Sequence, residues 1–168
     1  MHFLNKKTMI YFLLFLLMVV FCVQGFYNFH NWKVRQWCDR FGSSYVELGG
    51  PPKSWEWPWN WSMLTSVYIY RPADRLGKPE FINKSYPEPS LDHVRELINH
   101  AKHLSRLTFA IYIIYPLTIE DIIKLKNNQQ IILQSSINFT TNELKNIADN
   151  MPKTLVVING VHIKKSWE

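Results

Sequence analysis

The stretch "LSRLTFAIYII", Leu104–Ile114, decides the fold, because its pattern returns twice further along the chain. "NQQIILQSSIN" (Asn128–Asn138) and "MPKTLVVINGV" (Met151–Val161) carry it again. Leu104, Leu107, Phe109, Tyr112 and Ile114 align with Asn128, Ile131, Leu133, Ser136 and Asn138 at a constant offset of 24. Those five align with Met151, Thr154, Val156, Asn159 and Val161 at an offset of 23. The β-branched and aromatic runs within them read as strands over Leu107–Tyr115, Ile131–Ser136 and Thr154–Asn159. An upstream copy, Leu64, Val67 and Ile69, makes Leu64–Tyr70 a further strand, followed by an insertion over Arg71–Ser90.

Helical patterns lie between the strands. Leu91, Val94, Leu97, Ile98, Ala101 and Leu104 share one face of a helix over Leu91–Leu104. Thr118 with Asp121 and Thr140 with Glu143 have capping-box spacing, and each opens a further helix. The expected architecture is therefore α/β, with about four parallel strands alternating with three helices. One strand–helix unit cannot bury its apolar face alone, whereas stacked units share a core.

The spacing resembles that of leucine-rich repeats, whose units run about 20–29 residues on the pattern LxxLxLxxNxL. Leu104, Leu107 and Phe109 fit its opening. The signature asparagine occurs once, as Asn159, and Tyr112, Ser136 and Pro72 stand at the other positions. The whole plan is also similar to small bacterial proteins with one N-terminal anchor, a linker ending in Gly-Gly and a few degenerate repeats. That resemblance implies a short leucine-rich-repeat-like solenoid over residues 63–161 placed at a membrane, and the leading expectation for its role is a membrane-anchored, exported interaction module that binds another protein.

"MIYFLLFLLMVVFCV" (Met9–Val23) has no charge, and Lys6 and Lys7 precede it. Crossing a bilayer takes about 20 apolar residues. Extension from Thr8 to Phe29 reaches that length, with Phe26, Tyr27 and Phe29 suited to the interface. The expected layout is a cytoplasmic N-terminus (1–7), a transmembrane anchor or cleaved signal peptide (8–29), a stalk and Trp-rich cap (30–62), the repeats, and a basic tail (162–168). Lys6 and Lys7 on the cytoplasmic side would place the domain outside the cytoplasm. Asn31–Gly42 reads as an amphipathic continuation of the anchor helix that Gly42 stops.

The net charge of +6 suits an anionic neighbour such as a membrane surface. The basic residues are dispersed, so nucleic-acid binding is not expected. Cys22 and Cys38 form no disulfide framework or zinc motif. Trp55, Trp57, Trp59 and Trp61 alternate directly before the first strand. They read as a cap over the open end of the core, with membrane contact and sugar stacking as the alternatives.

No catalytic motif and no cofactor are expected. Glu96, His100 and His103 share a helix face, so a metal-dependent enzyme is the alternative to a binding role. The plainer reading of that face is a solvated exterior. The binding surface is expected on the strand side, at Thr65, Tyr68, Tyr70, Thr108, Ala110, Tyr112, Gln134 and Ser136. A one-residue error of strand phase would exchange this set with the core.

Overall fold

The computed structural model describes residues 6–48, 63–70, 86–105 and 107–163. The Trp55–Trp61 cap and the Arg71–Ser85 part of the insertion lie outside the described residues.

Helix α1 runs unbroken over Lys6–Phe41, 36 residues, or about 54 Å at the standard rise. Its two halves have different surroundings. From Met9 to Val23 every large apolar side chain is exposed. This helix is long and apolar enough to cross a membrane. The second half carries Val34, Trp37, Cys38 and Phe41 at i, i+3, i+4 and i+7, and all four are buried in the core. Residues 31–41, expected as part of a stalk and cap, thus form a core helix continuous with the apolar segment.

Gly42 ends α1 as expected, at φ +61°. Only glycine adopts that conformation readily. The Ser43 amide reaches back to the Cys38 carbonyl at 2.9 Å, which is the closing bond of a Schellman motif. The Tyr86 ring lies directly against Gly42, where a side chain would stand.

The chain then builds one six-stranded sheet in sequence order. Its strands are β1 (Ser44–Leu48), β2 (Met63–Ile69), β3 (Thr108–Tyr115), β4 (Gln130–Ser135), β5 (Leu155–Ile158) and β6 (Val161–Ile163). Strands β2 to β5 are parallel neighbours, as expected. Between them run α2 (Leu91–Ala101), α3 (Ile119–Ile123) and α4 (Thr141–Asn150). Each helix starts at a capping box, on Ser90, Thr118 and Thr140. Their buried side chains and the inward-facing strand residues form one core with α1.

Three features differ from the sequence expectation. The ladder pairs Phe109 with Ile131 and Ile131 with Val156, two residues away from the sequence alignment at each step. A slip of two keeps every side chain on its own face, so the core set survives the wrong register. Second, antiparallel strands close both edges, β1 on β2 and β6 on β5. Third, Asn159 and Gly160 form the β5–β6 turn, both at positive φ (52° and 79°), as a two-residue type I′ hairpin requires. Val161–Ile163, placed partly in the last repeat and partly in the tail, is therefore a strand.

Side chains also tie each unit to the one before. Asn128 Nδ2 donates to the carbonyls of Ala101 and Leu104, at 3.0 and 2.6 Å. Thr154 Oγ1 donates to the carbonyls of Lys126 and Asn128, at 2.8 and 2.9 Å. At the other end of the strands Asn159 accepts from the Ser135 amide at 2.8 Å and donates to its carbonyl at 3.2 Å.

Gly42→Ala is expected to lower stability by more than the ~1–2 kcal/mol cost of left-handed backbone alone, since Tyr86 must also move. Gly42→Asn tolerates that backbone better and meets only the ring. Thermal unfolding in detergent that leaves Gly42→Ala unchanged would show that neither the turn nor the Tyr86 contact matters.

Candidate functional site

The sheet has two unlike faces. Val67, Ile69, Phe109, Ile111, Ile131, Leu133, Val156 and Ile158 point into the core. The alternate positions form the outer face. In ladder order they are Ser66, Thr108, Gln130 and Leu155 in one row, then Tyr68, Ala110, Ile132, Val157 and His162 in the next. This settles the phase of the strands: odd positions point inward in β3 and β4 and in β2 from Val67 on, whereas in β5 the even positions Val156 and Ile158 point inward.

Three tyrosines dominate one side of the outer face. The Tyr70 and Tyr112 rings stack at 5.4 Å between centroids with planes 7° apart. Tyr68 and Tyr70 follow at 6.2 Å and 19°. All three are half-buried. Offset ring pairs of this kind contribute roughly 0.5–1.5 kcal/mol each beyond their buried area, so the rings are ordered before anything binds.

The eight expected surface residues distribute unevenly. Tyr68, Tyr70, Thr108, Tyr112 and Gln134 lie on the outer face, half-buried and within one patch. Thr65 is the residue of β2 left unpaired where the β1–β2 register shifts. Leu64 and Val67 on either side of it are both buried, so Thr65 and Ser66 share the outer side. Ala110 shares the face but is buried, so it offers no contact surface. It lies between Tyr68 and Ile132 in the ladder. Ser136 is past the end of β4, exposed in the following turn rather than on the sheet. Sequence reasoning missed Ile114 and Leu155, both exposed on this face, and the half-buried Ile132. The signal was present: "QIILQ" and "LVVI" are apolar at consecutive positions, which marks strands with two apolar faces.

The histidine face of α2 is not a solvated exterior. It packs against α1, which runs antiparallel to it. Phe26 contacts His103 at 5.0 Å between centroids, His30 contacts His103 at 4.2 Å, and Phe41 contacts His93 at 4.8 Å. His30 Nδ1 lies 3.0 Å from His100 Nδ1, and Trp37 Nε1 donates to the His93 carbonyl at 2.7 Å. The third imidazole near His100 and His103 thus comes from α1, while Glu96 stays exposed. Among the described residues no group of three or more potential ligands is arranged to hold a metal ion. The His30 and His103 rings lie tilted at 32° to each other with their centroids 4.2 Å apart.

Burial holds His100 and His103 below the ordinary histidine range, and Lys102 acts in the same direction on both. On His100, Glu96 opposes the shift while Lys33 and His103 add to it.

Models of protein families, curated proteins and solved structures were compared with the chain, and none matches.

The histidine shifts carry a pH dependence. The folded state takes up protons on His100 and His103 less readily than the unfolded chain. Their stabilising effect is therefore present above the ordinary value of about 6.5 and lost as pH falls through the lower folded values. The thermal midpoint should drop between about pH 7 and pH 5, and His100→Phe with His103→Phe should flatten that drop. An equal drop in the double variant would assign the acid sensitivity elsewhere.

Proposed function

We propose that the chain is a membrane-anchored interaction module without catalysis, built as a short leucine-rich-repeat-like solenoid. Its outer sheet face takes another protein. The tyrosine stack of Tyr68, Tyr70 and Tyr112 carries the reading. Tyrosines are over-represented among residues that dominate binding energy, and these three are pre-ordered on the face opposite the helices. Exposed Ile114 and Leu155 extend the patch with apolar area. Parallel strands in chain order, alternating with capped helices, support the solenoid reading.

The anchor is α1, retained rather than cleaved. Its second half is part of the core, so a cut near Val23 or Gly25 would separate the apolar segment from a helix the domain uses. The proposed orientation, with the domain outside the cytoplasm, takes its support from Lys6 and Lys7 directly before the span. Lys33, Arg35 and Arg40 follow the span closely enough to be counted against them, so a topology reporter is the deciding measurement.

A photo-crosslinking residue at Tyr112 should give a discrete adduct in cells. One at Glu120, on the helix side, should not, and Tyr70→Ala should weaken the Tyr112 adduct about tenfold or more, as for a binding anchor. Equal labelling at both sites would remove the sheet face from consideration. Alkaline phosphatase fused after Ile163 should be active, and an inactive fusion beside a fluorescent cytoplasmic reporter would reverse the orientation.

A further inference from the structure

The parallel topology sorts charge between the two ends of the sheet. Every helix after α1 finishes at the end where the strands begin. The described turns there, 101–105, 124–129 and 151–154, hold Lys102, Lys124, Lys126 and Lys153 and no acidic residue, while Asp149 in the last turn of α4 and Glu47 near the end of β1 also lie toward that end. Lys126 and Lys153 are exposed, and Lys102 is half-buried. Lys124 at the same end is held by Asp121 at 3.4 Å. The opposite end, over residues 86–92, 116–121 and 136–143, holds Glu88, Asp92, Glu120, Asp121 and Glu143 and no lysine or arginine. Helix dipoles favour this sorting on their own. They do not decide which way the basic end points.

Helix α1 does decide it. Phe26, His30 and Trp37 of α1 meet His103, His100 and His93 of α2 in that order. The two helices are antiparallel over that length, with α2 descending toward the apolar half of α1. A hydrocarbon core of about 20 residues counted from Thr8 ends near Tyr27. The C-terminal end of α2 therefore comes down to the level of the lipid headgroups. Exposed Phe26, Phe29 and Trp32 lie at that level on α1. Lys33 stands over the rings of Phe29 and Trp32, at 5.8 and 5.1 Å from their centroids. Aromatic rings with lysine beside them suit the membrane–water interface.

The three turns are also joined to one another. Asn127 and Asn128 bond the carbonyls of Lys102, Ala101 and Leu104, and Thr154 bonds those of Lys126 and Asn128. The basic end is one continuous rim rather than three separate loops.

We propose that this rim, with Lys102, Lys126 and Lys153, docks on the headgroup layer of anionic phospholipid around the anchor. The domain is then held upright on the membrane by two contacts, the span itself and an electrostatic footing. The proposal rests on α1 spanning the bilayer, and the test separates the two. Each lysine near an anionic surface contributes roughly fivefold in binding.

The experiment uses the full chain in vesicles carrying a nitroxide on the lipid headgroup. A fluorophore is placed at Ser105→Cys on the rim or at Asn138→Cys on the opposite end, in a Cys22→Ser background. Cys38 is buried. In vesicles of phosphatidylcholine with phosphatidylserine, the Ser105 probe should be quenched about threefold more than the Asn138 probe. Adding Lys102→Gln, Lys126→Gln and Lys153→Gln, or about 0.5 M salt, should remove most of that difference. Equal quenching at both positions, or a difference indifferent to the lysines, overturns the proposal. A chain that fails to float with the vesicles after an alkaline wash overturns the anchor and the footing together. One that floats with an unquenched Ser105 probe overturns the footing alone.

Discussion

The packing of α1 against α2 is the constraint on which the rest of the structure depends. Val34, Trp37, Cys38 and Phe41 from α1 enter the same core as Val94, Leu97, Ile98 and Ala101 from α2. Complete burial of an aliphatic or aromatic side chain contributes roughly 1.5–3 kcal/mol, so this contact is a large share of what holds a small domain together. It gives one helix two solvents. The first half exposes apolar side chains around its whole circumference, and the second half exposes one stripe and buries the other. Within that contact the buried Trp37 indole donates to the His93 carbonyl. An indole needs such a partner once it is buried.

The sheet follows from that start. Gly42 turns the chain back along α1, and β1 runs beside β2 as an antiparallel edge. At the far side Asn159 and Gly160 turn the chain again, and β6 closes the other edge. A stack of parallel units has open ends by construction, and each end is finished by a strand running the other way. Between them the units are joined by backbone ladders and by side chains that satisfy the turns of the preceding unit. Asn128 and Thr154 do this at the basic end, and Asn159 does it at the acidic end while also making the hairpin. One asparagine thus serves two local geometries, a positive φ and a reach across to Ser135.

The alternation of strands and helices was legible because it rests on local chemistry. Thr118, Asp121, Thr140 and Glu143 announce helix starts through spacing alone, and the β-branched runs announce strands. Register was not legible. Leu104–Leu107–Phe109 and Asn128–Ile131–Leu133 match well as letters, yet the ladder joins Phe109 to Ile131. Turn lengths set the register, and the turn after α3 differs from that after α2. The candidate face was legible in part, because the slip was even-numbered. Ala110 failed because a small residue between larger ones is covered by them. The histidine face failed for a longer-range reason. Nothing between Leu91 and Leu104 says that a helix some sixty residues upstream will lie against it. Only Trp37 and Phe41, spaced four apart beside Cys38, hinted that this part of α1 had something to bury.

Orientation ties these features together. Since α2 runs antiparallel to α1 and to the strands beside it, the strands stand along the direction of α1. Their outer face then looks sideways, along the plane of a membrane crossed by α1, and not away from it. The Tyr68–Tyr70–Tyr112 stack lies toward the C-terminal end of β2 and the middle of β3, which is the half of the sheet farther from the basic rim. On the proposed reading, a protein bound to that face approaches within reach of the membrane crossed by α1, either as another anchored protein or as one resting on the lipid. Confinement of both partners to one surface raises their effective concentration in the same way as a linker does. Under the proposed function, that confinement lets a patch of three rings and two exposed aliphatic side chains serve with less area than a free-solution interface.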